Sequence, residues 1–187
     1  YLKDTASAGL RALMEVAGVR DELDTFHVGF LLGPRLNAAG RLGTAEAALE
    51  LLRTSDRGRA RELARGLDDA NRERQAIEKG ILDAATEQVK AWFDESRHFA
   101  LVAADRSWHP GVIGIVSARL AQRYGRPAAV IALDGEGGGR GSCRSIEGFD
   151  LVECLRECAG VLRRCGGHAM AAGLELDEPR LEEFRRQ

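Results

Sequence analysis

Apolar side chains recur at intervals of three and four residues through the first third of the chain. This spacing predicts one amphipathic helix from Thr5 to Ala17, ended by Gly18, and a second from Asp24 to Leu32, ended by Gly33 and Pro34. Residues 35–43 are polar and contain two glycines, so we predict a loop there. Thr44 is placed to cap a third helix, whose predicted inner face carries Ala45, Ala48, Leu49 and Leu52.

Helical spacing then continues without a proline from Asp56 to about Phe93. At 1.5 Å per residue such a helix would be a rod roughly 55 Å long. A helix of that length more often connects two lobes than lies inside one core. We therefore predict a helical lobe over residues 1–55, a connecting helix over 56–96, and a second lobe over 97–187.

The second lobe has a different pattern, in which short apolar runs alternate with helical spacing. Strands are predicted over 98–105, 127–134 and 171–177, and helices over 111–125 and 149–159. The glycine-rich stretch 135–145 is predicted to form a hairpin with the strand before it. This alternation predicts an α/β fold with a small mixed sheet.

Composition narrows the class of protein. The 187 residues are 44% hydrophobic and 30% charged, and no apolar run approaches the roughly 20 residues of a membrane span. The chain begins at Tyr1 without a signal peptide, so we expect a fragment of a cytoplasmic protein without membrane contact. Net charge is only −2, so no overall basic field points to nucleic acid.

Four cysteines allow two interpretations. With His168 they could form a zinc site, since Cys154 and Cys158 are four residues apart and Cys165 precedes His168 by three. The alternative is core packing, because Cys154 and Cys158 fall in an apolar helical pattern and a buried free thiol behaves as a small hydrophobic group. We favour core packing, and we expect neither stoichiometric zinc nor disulfides.

Two paired glycines stand directly before a histidine at Gly166, Gly167 and His168. Paired glycines permit positive φ and let an anion approach main-chain N–H groups, so we predict a phosphate-binding turn here. Strand alternation places Arg140, Ser142 and Arg144 on one face of the preceding strand, with Ser145 on the other. We predict that this cluster and the glycine turn bind phosphate groups.

Two further clusters are framed by glycine and proline. The first has Arg35, Asn37 and Arg41 in the predicted loop, either as a phosphate clamp or as helix caps and salt bridges between lobes. The second has His109 between a strand and a helix, where α/β sheets gather ligands, although such a histidine is more often a capping residue. The chain shows no paired carboxylates suited to metal, no nucleophile elbow and no phosphate-binding P-loop motif.

Five long motifs resemble the RecJ single-stranded-DNA exonucleases of the DHH phosphoesterase superfamily. They are GPRLNAAGRL at 33–42, LDDANRERQAIE at 67–78, WHPGVIGIVSARL at 108–120, GSCRSIEGFDL at 141–151 and CGGHAMAAGLEL at 165–176. The resemblance implies that residues 1–55 end a catalytic DHH domain and that 97–187 are a DHH-associated domain. It also implies that the two lobes of the protein would hold the 5′ end of single-stranded DNA over two Mn²⁺ or Mg²⁺ ions.

The resemblance also limits what this chain can do by itself. The metal ligands of the family lie in motifs upstream of Tyr1, so we expect no metal bound here and no cleavage by the isolated fragment. Single-stranded DNA is the implied partner, and a single-strand-binding protein or a helicase could join it in repair and recombination. Two alternatives stay open: a noncatalytic nucleic-acid-binding relative, and a phosphatase acting on dinucleotides or short oligonucleotides.

Overall fold

A computed structural model of the chain describes residues 5–19 and 23–187, which form seven α-helices and five β-strands. The helices are α1 Ala8–Val16, α2 Gly33–Leu42, α3 Glu46–Arg53, α4 Arg57–Trp92, α5 Ile113–Tyr124, α6 Leu151–Glu157 and α7 Leu181–Arg186. The strands are β1 Leu101–Asp105, β2 Ala128–Leu133, β3 Gly138–Arg144, β4 Leu162–His168 and β5 Ala171–Asp177. The predicted α/β class with a mixed sheet is confirmed. Contacts divide the chain into two units, residues 1–76 and 77–187.

The first unit is helical, and its core joins α1, α3 and the first half of α4. Leu13, Leu51 and Leu67 are almost completely buried in this core. Gly9 lets α1 and α3 pack closely, because a Cβ built at this position would lie 1.8 Å from the carbonyl oxygen of Leu51. The contact decides which side of α3 is inside.

Two predictions for α3 are wrong. Ala48 and Leu51 are its buried residues, whereas Leu49 and Leu52, predicted to face inward, are about half exposed. The cap residue is Ala45, which makes no side-chain hydrogen bond, so Thr44 does not cap the helix. The first error follows from the side of α3 that α1 covers, which the spacing within α3 alone does not specify.

The predicted loop at residues 35–43 is also wrong, because Gly33 to Leu42 is helix α2. A π-helical turn, His27–Leu32, leads directly into α2, and the Gly33 N–H donates to the carbonyl of Val28. Pro34 is the second residue of α2 and lacks the N–H that a continuous helix would use, and the π-helical turn directly before it lets the helix continue past this residue. The Gly-Pro pair therefore continues the helix that it was expected to end.

The second unit is built on a five-stranded sheet in the order β1-β2-β3-β5-β4. β1 and β2 are parallel, and every other neighbouring pair is antiparallel. Helix α5 packs on one face against β2 and β3. Helices α6 and α7 cover the opposite face, where Leu155 and Phe184 join the buried Cys143, Leu174 and Leu176.

The edge strand β1 is closed by a side chain rather than by a sixth strand. The Gln88 amide donates to the carbonyl oxygen of Ala104 and accepts from its N–H, both at 3.1 Å. This pair continues the hydrogen-bond ladder by one residue at the edge of the sheet. Among the described residues, every helix is too short or too polar to cross a lipid bilayer.

Residues 162–168 form a strand that the sequence interpretation missed. Gly166, Gly167 and His168 lie in β4, and the turn to β5 is made by Ala169 and Met170. The predicted Gly-Gly turn is therefore wrong. The carbonyl groups of Ala169 and Met170 accept from the N–H groups of Leu151 and Ser145, which fastens the hairpin tip to the neighbouring segment.

Candidate functional site

The sheet face opposite α6 is covered by α5 only over β2 and β3, which leaves β5 and β4 open to solvent. Because paired strands align their side chains in rows, the register defines the residues that β3, β5 and β4 contribute to this face. We call it the open face, although α5 lies against part of β3. Its first row holds Arg144, Ala171 and His168; its second row holds Ser142, Gly173 and Gly166; its third row holds Arg140, Glu175 and Arg164.

The alternation predicted for β3 is confirmed for two of the three residues by direct contacts. Ser142 and Arg144 lie against Gly114 in the first turn of α5, while Cys143 is buried under α6 on the other face. A Cβ at Gly114 would lie 2.9 Å from Ser142 Oγ and 3.3 Å from the Arg144 guanidinium. Gly114 therefore makes room for both polar side chains, a function that its position in an apolar helix pattern did not indicate.

The Arg144 guanidinium is held from its own strand. It donates to Ser142 Oγ at 3.1 Å and to the carbonyl oxygen of Cys143 at 2.8 Å. Among the described residues it has no carboxylate partner within ion-pair distance. The bonds fix its direction without neutralising its charge, which leaves the remaining N–H groups able to bind an anion.

His168 lies in the same row as Arg144, with only Ala171 between them. Two strand spacings separate their Cα atoms by about 10 Å, a distance that an arginine and a histidine side chain can close on one phosphate group. His168 is exposed and ends β4. The sheet thus brings together two predicted site residues that are 24 positions apart in sequence.

The two glycines before His168 have different structural roles. Gly167 has a φ of +150°, and a Cβ there would lie 2.4 Å from the Ala171 carbonyl oxygen and 2.6 Å from Ala172 Cα. The molecule that approaches Gly167 is therefore the neighbouring strand of the same chain. Gly166 has open space around it and pairs with Gly173, so the second row presents backbone without side chains.

Ser145 and Arg140 do not join Ser142 and Arg144. The Ser145 hydroxyl donates to the carbonyl oxygen of Phe149 at 2.7 Å and stabilises the turn before α6. Arg140 is on the open face as predicted, but it lies in the third row, 3.7 Å from Glu175. Phosphate binding by these two residues stays a prediction, and the geometry separates both from the first row.

His109 lies in the loop between β1 and α5, where its Nδ1 accepts from the N–H of Gly111 at 3.1 Å. Its carbonyl oxygen accepts from the N–H groups of Val112 and Ile113 at the start of α5. The side-chain bond closes the loop before α5, whose cap residue Val112 makes no side-chain hydrogen bond, so helix capping by the His109 side chain stays a prediction. A phosphate contact by its Nε2 atom stays a prediction.

Helix α2 separates the three residues of the predicted phosphate clamp. Arg35 donates from Nε to Asp68 at 2.8 Å and from a terminal nitrogen to the carbonyl oxygen of Leu31, so it is largely committed to the fold. Asp68 is buried and also pairs with Arg72 at 2.6 Å. Asn37 and Arg41 are exposed and, being four residues apart, share one side of α2. Their contact with phosphate stays a prediction.

The described residues include no group of three or more His, Cys, Asp or Glu side chains that could hold a metal ion. Asp105 at the end of β1 and Asp134 directly after β2 accept hydrogen bonds within their own turns. Hydrogen bonds from Ser107 lower the pKa of Asp105, and backbone N–H groups of Gly138 and Glu136 lower the pKa of Asp134. Among the described residues, neither the Mn²⁺ nor the Mg²⁺ implied by the resemblance has a ligand set, so we assign these residues no step that uses the ions.

The four cysteines are free thiols gathered between α6 and the sheet. Burial raises the pKa of Cys143 to about 12 and also raises the pKa values of Cys154 and Cys158. Because thiolates are the reactive species, we expect N-ethylmaleimide at pH 8 to alkylate Cys143 much more slowly than the partly exposed Cys154. Peptide mass spectrometry after timed labelling measures both rates.

Labelling in urea is the control, since unfolding should make the two rates similar. Equal rates in the folded chain would contradict the burial argument.

The raised pKa of Cys143 also predicts a pH dependence of stability. The Cys143 thiol ionises at a lower pH in the unfolded chain than in the folded one, so the free energy of unfolding should fall as pH rises from 9 toward 12.

Comparisons with known proteins found related sequences and related structures. A family model described as the DHHA1 domain matches residues 97–187. Two relatives named single-stranded-DNA-specific exonuclease RecJ, from Bacillus subtilis strain 168 and Escherichia coli K12, are 42% and 40% identical to this chain. The alignments cover 98% and 96% of this chain but only 23% and 32% of the relatives. The chain therefore spans about a quarter to a third of their length.

Two solved structures share the fold. The crystal structure of RecJ in complex with Mg²⁺ from Thermus thermophilus has a TM-score of 0.86 and 36% identity, covering 99% of this chain and 28% of that one. The crystal structure of exonuclease RecJ bound to manganese has a TM-score of 0.81 and 35% identity, covering 100% of this chain and 47% of that one.

Proposed function

Because this chain belongs to the RecJ family, of which it represents one segment with a DHHA1 domain, we propose that it binds the 5′ end of single-stranded DNA for an exonuclease. The observation that carries the proposal is the first row of the open sheet face. There the unneutralised Arg144 and the exposed His168 flank the small Ala171, so one phosphate group can contact both. Ser142 and the glycines of the second row leave the approach unobstructed.

The higher charge of a terminal phosphate group is the reason to expect that this site prefers a 5′ end to an internal position of the strand. A terminal phosphate monoester carries a charge of −1.5 to −2 near pH 7, because its second pKa is about 6. An internal phosphodiester carries a single negative charge, so a cationic site such as Arg144 attracts a 5′-terminal phosphate more strongly. Holding the terminal group would place the first phosphodiester bond at a constant distance from the site.

The activity of the longer protein is part of the same proposal. We propose 5′→3′ hydrolysis of phosphodiester bonds in single-stranded DNA, in repair and recombination, with the Mg²⁺ or Mn²⁺ named for the related structures. These cations would supply the activated water. The residues described here contribute binding and orientation of the strand.

His168→Ala tests the proposed function. Hydrogen bonds to charged groups contribute about 1.5–3 kcal/mol, so we expect a roughly ten- to hundredfold weaker affinity for a 5′-phosphorylated single strand. Affinity for the same strand with a 5′-hydroxyl should change little. Fluorescence anisotropy of the 187-residue chain with strands labelled at the 3′ end measures both affinities.

Met170→Ala is the matched control, because Met170 is exposed at the tip of the same hairpin and has no polar group to offer phosphate. Melting curves should be unchanged for both variants. The proposal is wrong if His168→Ala binds like the original chain, or loses affinity only together with its fold. Preferential binding of dinucleotides over longer strands would instead favour an oligonucleotide phosphatase.

A further inference from the structure

The third row of the open face is cationic for a reason that the sequence pattern does not reveal. β4 carries a bulge: Leu162 pairs with Leu176, but the next paired residue is Arg164, opposite Glu175. Counted back from Cys165, which pairs with the buried Leu174, simple alternation would turn Arg163 toward the buried face. The bulge inserts Arg163 as an extra residue, and its guanidinium forms an ion pair with Asp177 on the open face.

The bulge therefore places two consecutive arginines, Arg163 and Arg164, on the same side of the sheet, close to Arg140. Their charges are neutralised to different degrees. Arg163 is paired with Asp177, and Arg140 lies 3.7 Å from Glu175. The Arg164 side chain is exposed and, within the described part of the chain, forms no ion pair or hydrogen bond. It is the cation of this row that remains available to a ligand.

The surface around the third row is concave. One cavity of about 380 Å³ is lined by Arg140, Arg164, Glu175 and the paired glycines Gly166 and Gly173. A second cavity of about 330 Å³ shares Arg140 and Glu175 with the first and extends to Trp108 and Pro110. Gly166 and Gly173 form the surface between the first and third rows, where no side chain obstructs a sugar or a planar base.

The first and third rows are four residues apart along each strand. At roughly 3.3 Å per residue the separation is about 13 Å. A stacked single strand advances roughly 3.4 Å per nucleotide, so about four nucleotides cover this distance. A mononucleotide held in the first row would not reach Arg164, whereas an oligonucleotide would.

We propose that Arg164, together with Arg140, forms a second phosphate subsite that binds an internal phosphate of a strand whose 5′ end occupies the first row. This inference rests on the proposed function and adds a direction to it, because the strand then runs along β4 from His168 toward the bulge. The glycine pair of the second row lies beneath the intervening nucleotides.

The test compares ligands of different length on the 187-residue chain. The probes are 5′-phosphorylated thymidine oligonucleotides of one and six nucleotides, the shorter measured by competition. We expect Arg164→Ala to weaken hexanucleotide binding by about two- to fivefold, the range of an exposed charge contact, and to leave mononucleotide binding unchanged. The dependence of hexanucleotide affinity on salt should also weaken, by about 0.7 in the logarithmic slope.

Two further variants separate a phosphate contact from a structural effect. Arg164→Lys keeps the charge and should retain most of the hexanucleotide affinity. Arg163→Ala removes the same charge from the neighbouring position, where Asp177 already neutralises it, and should reduce affinity less than Arg164→Ala.

The outcomes distinguish this inference from the proposed function. If the original chain binds neither probe, the proposed function fails. The second subsite is wrong if the original chain binds both probes and Arg164→Ala binds the hexanucleotide with the same affinity. It is also wrong if Arg164→Ala lowers the affinity for both probes equally, and in either case only the first row remains as a binding site.

Discussion

Gly167→Ala should destabilise the second unit by about 2–6 kcal/mol, the sum of backbone strain at a φ that only glycine adopts readily and of a steric clash. The added methyl group would meet the Ala171 carbonyl oxygen at 2.4 Å and Ala172 Cα at 2.6 Å. Both are backbone atoms of β5, so rotation of a side chain cannot relieve the contact. The β4–β5 hairpin must shift or open.

Gly166→Ala is the matched control, because a Cβ at Gly166 has no neighbour within 4 Å. We expect its free energy of unfolding to stay within about 0.5 kcal/mol of the original, as for ordinary surface substitutions. Both tryptophans, Trp92 and Trp108, belong to the second unit, so their fluorescence during urea titration reports its unfolding. Equal midpoints for the two variants would show that the close approach at Gly167 carries no energetic weight.

Arg144→Ala should weaken the affinity for 5′-phosphorylated single strands by roughly ten- to hundredfold, because a charge-assisted hydrogen bond to phosphate contributes about 1.5–3 kcal/mol. Its stability should change by less, since the bonds of Arg144 go to Ser142 and Cys143 of its own strand. Arg144→Lys keeps the charge but not the planar fork, so we expect intermediate affinity. Fluorescence anisotropy with the 5′-phosphorylated strand measures the affinities of the original chain and of both variants.

Arg156→Ala removes the same charge from α6, which packs on the opposite sheet face, and should change affinity less than about twofold. This control separates a local contact from a loss of overall positive charge. Comparable losses for Arg144→Ala and Arg156→Ala would mean that binding is diffuse and that the first row has no special role.

The elements that could be predicted from the sequence are those set by spacing along a single segment. The long helix α4, the strands β1 and β2, the hairpin into β3 and the strand β5 all follow from apolar periodicity and turn residues. The same reasoning placed Ser142 and Arg144 opposite Cys143, because successive strand residues point to opposite faces regardless of what covers them.

Local structures that depend on contacts with another segment of the chain could not be predicted from spacing within one segment. Gly166 and Gly167 suggested a turn, but they lie in a strand because β5 runs beside them. Gly33 and Pro34 suggested a helix end, but the preceding π-helical turn accommodates them. The buried side of α3 depends on Gly9 of α1.

The candidate site likewise combines features that one strand determines with features that depend on the pairing of strands. Sequence by itself determined which side chains share a face of β3, because the period of a strand is a property of its own backbone. Only the tertiary structure brought His168 into the row of Arg144 and turned Arg163 and Arg164 to the same side. Pairing register and a bulge are relations between two strands, and neither strand specifies them alone.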